Sequence, residues 1–382
     1  MIGSLGKPQK CCGCGACAYV CPRGAITMQT DDQGFRYPVI DEEKCTHCRA
    51  CMKACAFYHT ENSVFNTPIK CYGAIHKSKT VVVESTSGGL FTALSDVVLQ
   101  SGGTVYGAVF QDKRVFHVRA EDELIRDSMR GSKYVQSNIE QCFQNIKDDL
   151  TEGRTVLFTG TPCQVAAVYQ LFFHHFNLIT CEVLCYGTPS PMVFSEHLKM
   201  IERRFKGKIV NYQFRPGKHG FEWGCQNEMA ILQDGREIAE DAYVNAFRQL
   251  FYGGITKRTA CHSCPYTKLD RTADITIGDC RKFRIVYPQV ECENGVSTVL
   301  ANTEKGIKLV EACRKEVDLY DMEIEDILQE PLQHPSKQGE RKSEFWKEMN
   351  TVGYERALQH YYGRNFDLKF KIKKLLKRMK IG

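Results

Sequence analysis

The sequence predicts a two-part chain of α+β / α/β class. A small cysteine-dense domain is followed by a larger mixed-sheet α/β domain that closes on a basic helix. Nine of the twenty cysteines lie between Cys11 and Cys55. From about Ser78 the apolar pattern turns into strand–loop–helix–strand units, twice over. The last residues alternate lysines with apolar side chains at helical spacing. A length of 382 residues suggests about two to three domains, read here as 1–62, 70–345 and 346–382.

Hydrophobic content of 43% and charged content of 25% are globular values, which excludes a disordered chain. No run approaches the roughly 18 apolar residues of a membrane span. Residues 1–10 lack the apolar core of a signal peptide, so a cytoplasmic chain with reduced cysteines is expected. Clustered cysteines then read as metal ligands or catalysts. Residues 366–382 hold six lysines, Arg378 and Asp367, which equals the whole net charge of +6. The rest of the chain is balanced, and a nucleic-acid partner is not expected.

In the first unit, residues 80–84 (TVVVE) read as a buried strand and 85–89 (STSGG) as a tight loop. Leu90, Leu94, Val97 and Val98 follow as one helix face, and 104–110 (TVYGAVF) as a second strand. The second unit runs strand 155–158, loop 160–164 (GTPCQ), helix 165–173 and strand 178–184. This order calls for a sheet with some parallel pairing and helices upon it. Beyond Gly207 the strands (209–215, 228–232, 274–278, 297–302) are shorter and hairpin-like, so the later sheet is expected to be mixed.

Cys11, Cys14, Cys17 and Cys21 follow C-x2-C-x2-C-x3-C with Pro22 next; Cys45, Cys48, Cys51 and Cys55 repeat it with Ala56 in the proline's place. Three thiolates two residues apart on a curled loop reach three irons of one 4Fe–4S cubane, while the fourth goes to the other cluster. That crossed ligation joins Cys55 to Cys11, Cys14 and Cys17, and Cys21 to Cys45, Cys48 and Cys51. Cys12 fits neither spacing and reads as a bystander. Structural zinc, the alternative, uses two separated C-x2-C knuckles. So short a segment buries little core, so cluster binding should itself supply folding free energy. It resembles a bacterial two-cluster ferredoxin.

Farther on, Cys261 and Cys264 form C-x2-C, Cys280 closes ADITIGDC and Cys185 opens CYGTPSP. Alone these four are a weak signal, with buried core thiols as the alternative. Together with STSGGLFTAL, GGTVYGAV, RGSKYVQS, GTPCQVAA, CPYTKLDRTADITIGD and GVSTVLANTEKG, they resemble the family of coenzyme F420 hydrogenase and dehydrogenase beta subunits, over about residues 70–302. The resemblance implies bound FAD and a third 4Fe–4S cluster on Cys185, Cys261, Cys264 and Cys280. Cys280 stands where many relatives have tryptophan, which makes it the least secure ligand.

A dinucleotide's pyrophosphate favours backbone N–H groups at a helix start after a small-residue loop. Ser87, Gly88 and Gly89 offer this in the first unit, and Thr161 with Gln164 in the second, although neither carries G-x-G-x-x-G. Lys133 and Tyr134 are suited to countering a phosphate and stacking on a ring. Ordinary turns and surface contacts are the alternative for each. Cys163 reads either as flavin-side or as a capped core thiol. Lys218 and His219 (PGKHGFEW) are the proton-transfer candidates, an exposed loop histidine being the alternative.

FAD beside cubane clusters would interconvert two-electron and one-electron chemistry. The first reading is a ferredoxin-fed reductase of a small organic substrate; relatives with this fused architecture imply a role in surface-polysaccharide synthesis. The alternative is an F420-dependent hydrogenase or dehydrogenase beta subunit, or a non-catalytic electron-transfer subunit of a larger complex. Leu368, Ile372, Leu375, Leu376 and Met379, with lysines between them, read as a basic amphipathic helix. It suits peripheral contact with an anionic membrane, or packing on its own domain.

Overall fold

The computed structural model describes residues 8–58, 60, 65–173, 175–216, 227–292 and 295–379. The N-terminal segment is built on an antiparallel hairpin of β1 (Ile26–Thr30) and β2 (Arg36–Ile40), with Phe35 and Tyr37 buried. A cysteine loop precedes each of two short helices, Ala16–Tyr19 and Ala50–Lys53. Each helix starts after a left-handed residue, Gly15 at φ 82° and Arg49 at φ 62°, and that turn curls the loop back on itself.

The larger domain is organised by an eight-stranded sheet. Its strands are β3 (Lys70–His76), β4 (Thr104–Gln111), β5 (Arg114–Ala120), β6 (Val156–Gly160), β7 (Leu178–Val183), β11 (Ile275–Asp279), β12 (Ser297–Ala301) and β13 (Val317–Asp321). They lie in the order β13-β3-β12-β11-β7-β6-β4-β5, and β4, β6, β7 and β11 are mutually parallel while the flanking pairs are antiparallel. Alternation sends Val105 and Leu157 to a core shared with helices Leu90–Gln100 and Glu304–Ala312. Tyr106, Val156 and Phe158 face the opposite core, under helices Cys142–Thr151 and Pro162–Leu171. Ala16 enters this second core, which seats the cysteine-rich segment on the sheet domain.

A separate three-stranded sheet joins β8 (Ile209–Gln213), β9 (Met229–Leu232) and β10 (Glu237–Ala239). It packs with helices Pro191–Phe205, Ala246–Tyr252, Lys342–Val352 and Tyr354–Tyr362 into the largest apolar cluster.

The structure departs from the sequence reading in three places. Residues 80–84 are the helix Lys79–Glu84, and the strand of that unit is β3, which sits between β12 and β13 rather than beside β4. Only Val82 of that valine run is buried, so β-propensity yields to the position the sheet leaves for it. Pro162 to Gln164 form the first turn of a helix rather than a loop. The C-terminal region is not a separate tail from 346, because Trp346, Met349, Tyr354, Ala357 and Leu358 are core residues. Beyond them, helix Phe366–Met379 turns Phe366 and Phe370 inward and leaves Leu368 and Ile372 exposed. No helix among the described residues is long and apolar enough to cross a membrane.

Candidate iron–sulfur and redox site

The curled loops gather the N-terminal thiols into two groups. Cys11, Cys14, Cys17 and Cys55 line an inner cavity with Met28, Tyr37 and Phe57. Cys21, Cys45, Cys48 and Cys51 line an outer one, where Cys48 is exposed. Each cavity brings together the four thiols that crossed ligation would join, and the inner one is lined by Cys12 as well. Amides point at the sulfurs: Gly13 N donates to Cys11 Sγ and Ala25 N to Cys21 Sγ, each at 3.3 Å. Burial raises Cys17 and pushes the Cys55 thiol up to about 11, so both thiolates call for positive charge beside them.

A third group forms where the two domains meet. Cys163 lies in the first turn after β6, Cys185 two residues past β7, and Cys261 and Cys264 at the single turn Thr259–Ser263 and its end. With Cys12 they line one cavity outside the carboxyl ends of adjacent parallel strands, the usual ligand position of such sheets. Gly187 N donates to Cys185 Sγ at 3.3 Å and Thr188 N to Cys261 Sγ at 3.4 Å. The Cys12 thiol lies between Cys14 and Cys163, and its hydrogen bond lowers Cys163, whereas burial raises Cys185 and Cys261.

Cys280 does not join this group. It is fully buried against Phe283, Cys292, Val296 and Leu300, one strand farther along the sheet. Cys163 stands in the cavity instead, and Cys12 is no distant bystander.

Three buried cations border the inner and third cavities. Lys257 Nζ donates to Ser336 Oγ at 2.7 Å, Lys342 Nζ to Lys257 O at 2.7 Å, and Arg258 Nε to Cys11 O at 2.6 Å. Among the described residues no carboxylate is paired with any of them. Burial pushes the Lys342 ammonium down to about 8 and lowers Lys257. Buried cations without counter-ions are costly, so these cavities suit an anionic guest. A cubane held by four thiolates meets that requirement. The cations were missed in the sequence, where their one trace is the pair Lys257-Arg258 ahead of CHSC.

The residues expected to hold FAD do not assemble into one cradle. Ser87 Oγ donates to Val296 O at 2.7 Å, and a Cβ on Gly88 would meet Ala74 O at 2.0 Å, so this loop is occupied in chain packing. Gly89 is the left-handed start of helix Leu90–Gln100. Lys133 Nζ donates to the carbonyls of Ser128, Met129 and Arg130, and burial pushes it down to about 7. Tyr134 stacks on Phe251 at 5.4 Å. Thr161 and Gln164 close a capping box, and Gln164 Nε2 donates to Ser137 Oγ at 2.9 Å. Lys218 and His219 lie outside the described residues.

What links these motifs is the loop 130–138. Ser132 Oγ donates to Thr86 Oγ1 at 3.1 Å, Gln136 Nε2 to Cys12 O at 2.6 Å, and Ser137 meets Gln164. On its outer side a polar cleft is lined by Glu84, Ser85, Arg130, Ser132, Lys133 and Arg215. Tyr186, which follows Cys185, and Tyr134 both lie against Tyr252, so an aromatic cluster separates this cleft from the third thiol group.

Residues 153–326 match the family model for the C terminus of the coenzyme F420 hydrogenase/dehydrogenase beta subunit, and residues 10–58 that of a 4Fe-4S dicluster domain. The chain unites these two segments. It is 24% identical over 340 residues to a coenzyme F420-dependent sulfite reductase of Methanocaldococcus jannaschii, covering 87% of this chain and 51% of that protein. It is 23% identical over 336 residues to the F component of the F(420)H(2) dehydrogenase of Methanosarcina mazei, covering 81% of this chain and 84% of the relative. The chain thus spans about half the length of the first relative and most of the second. A chain of the F420-reducing [NiFe] hydrogenase complex from Methanosarcina barkeri superposes at a TM-score of 0.47 with 17% identity, covering 77% of this chain and 92% of that one.

The resemblance read from the motifs is thus matched over residues 153–326 by the beta-subunit model and over residues 10–58 by the dicluster model, and the relatives that share both are named for F420-linked redox reactions. Neither the matched segments nor the relatives' names carry FAD or polysaccharide synthesis. The F420-linked alternative thus fits better than the ferredoxin-fed reductase.

Proposed function

We propose that this chain passes electrons between coenzyme F420 and a file of three 4Fe–4S clusters, acting as the F420-oxidising or F420-reducing part of a larger redox system. The observation that carries the reading is the placement of the Cys163, Cys185, Cys261 and Cys264 cavity inside the segment that matches the family of F420-linked beta subunits. When bound, the deazaflavin supplies two-electron chemistry and the clusters one-electron transfer.

The chain's own residues have these parts in the proposal. Cys163, Cys185, Cys261 and Cys264 hold the third cluster, with Lys257 and Lys342 countering its charge. Cys11, Cys14, Cys17 and Cys55 hold the inner cluster, and Cys21, Cys45, Cys48 and Cys51 the outer one, whose exposed Cys48 edge serves a one-electron partner such as a ferredoxin. The cleft with Arg130, Lys133 and Arg215 receives the phosphorylated organic carrier, and Lys218 and His219 are kept as proton-transfer candidates from the sequence alone. No step is assigned to FAD. Peripheral membrane contact rests on the lysines of the last helix and on exposed Leu368 and Ile372.

The test is anaerobic purification followed by mixing with reduced F420. About twelve irons per chain are expected, with bleaching of the cluster absorbance as F420 is oxidised. Clusters that dithionite reduces but F420 leaves untouched would overturn the F420 reading. Flavin measured in the same preparation decides whether an FAD accompanies them.

A further inference from the structure

Arg258 is a buried arginine, 1% exposed, held between the two domains. Its Nε donates to Cys11 O at 2.6 Å, Nη1 to Gln136 Oε1 at 3.2 Å, and Nη2 to Arg36 O at 2.9 Å and Cys11 Sγ at 3.6 Å. The rings of Tyr37 and Phe35 lie 4.1 and 5.4 Å from its guanidinium carbon. Every direct partner is neutral or is the Cys11 sulfur, so the charge is not cancelled by a carboxylate. Around the outer thiols the cations are different in kind: Arg23 and Arg49 line that cavity but stand in water, which screens them.

An electron added to a thiolate-held cluster brings one more negative charge and makes or breaks no bond. Burial alone opposes that added charge and would make the inner cluster the harder one to reduce. A buried guanidinium hydrogen-bonded to one of its thiolates acts in the opposite sense, and in a low-dielectric setting its reach is long. We propose that Arg258 is a positioning residue that sets the redox order of the two N-terminal clusters, raising the inner one so that an electron comes to rest beside the larger domain. The proposal rests on the cluster reading of the cysteine repeats.

The experiment is an EPR-monitored redox titration of the full chain, loaded with iron and sulfide under anaerobic conditions. The titration is run on a Cys163→Ala background, which on this reading lacks the third cluster whose cavity Arg258 also lines. A soluble paramagnetic ion that reaches exposed Cys48 and not the inner cavity then broadens the outer signal and tells the two remaining clusters apart. In Arg258→Gln the inner cluster shifts to lower potential while the outer one stays; Arg258→Lys, which keeps the charge, shifts it less. Arg36→Ala breaks the 2.8 Å ion pair to Glu140 across the same domain contact, and the partly exposed carboxylate it leaves near Gly15 moves the inner potential less than the loss of the Arg258 charge does. An unchanged inner potential in Arg258→Gln, an equal shift in Arg258→Lys, or an equal shift in Arg36→Ala overturns the assignment. A wild-type chain without iron fails the cluster reading itself, before any potential is read.

Discussion

Gly15 and Arg49 hold the same place in the two cysteine repeats: each is the left-handed residue between the second and third thiols, at φ 82° and 62°. One is glycine because it is docked, the other is free to be arginine because it faces water. A Cβ on Gly15 would lie 2.2 Å from Glu140 Cγ. Gly15→Ala is expected to cost about 1–2 kcal/mol from the left-handed backbone alone and more from the clash, lowering the unfolding midpoint and emptying the inner cluster. Arg49→Gly leaves the iron content unchanged. Iron analysis and thermal unfolding of both variants check this; wild-type behaviour of Gly15→Ala would mean that the repeat does not seat against Glu140.

The third thiol group predicts an exchange of roles. Cys163→Ala should reduce the iron content from about twelve to about eight per chain, because its sulfur lines the cavity with Cys185, Cys261 and Cys264. Cys280→Ala should keep all the iron and cost about 1 kcal/mol of packing against Phe283 and Leu300. The reverse result would return Cys280 to the ligand set.

These two cases show what the sequence makes legible. The N-terminal repeats are local: the spacing of Cys11, Cys14 and Cys17 sets their geometry within one loop, and crossing to Cys55 follows from the repeat. Membership of Cys163 depends instead on β6 lying beside β7, a pairing between distant segments that no spacing encodes. Cys280 lies at the matching end of β11, but its side chain turns into the Phe283 cluster. Residues 80–84 look like a strand because valines carry strand propensity, whereas β3 was hidden by its mixed KCYGAIH composition. The burial of Lys257, Arg258 and Lys342 is likewise a tertiary fact: in sequence a basic pair reads as solvated surface.

His197 predicts a pH dependence. It is fully buried in the largest apolar cluster, with Nδ1 and Nε2 each 3.1 Å from a hydroxyl, those of Tyr354 and Tyr212. Burial lowers it to about 3, well below the ordinary value of 6.5. As pH falls below 6.5 the unfolded chain takes up a proton that the folded chain refuses, so stability present at neutral pH is lost progressively toward pH 3. The unfolding midpoint of His197→Gln should be lower than wild type at pH 7 and approach it as the medium is acidified. A constant gap between the two proteins from pH 7 to pH 5 would show that this imidazole does not titrate on unfolding.

Arg271 ties the stability of the sheet to the shape of the third site. Its Nε pairs with Glu182 of β7, while Nη1 donates to Tyr266 O at 2.8 Å and Lys268 O at 2.7 Å, just past Cys264. Both charged side chains are buried, and Thr276 Oγ1 also donates to Glu182, at 2.9 Å. Arg271→Ala strands the carboxylate and should cost about 3–5 kcal/mol, together with the iron of the third site. Replacing both partners by apolar residues, as Arg271→Met with Glu182→Leu, removes the stranded charge and should recover most of that stability. It cannot restore the donor to the carbonyls of Tyr266 and Lys268, so the loop bearing Cys264 stays loose and the third-site iron stays low. Stability that returns without iron therefore separates the two parts of Arg271, whereas iron that returns with it would mean the loop holds its shape unaided.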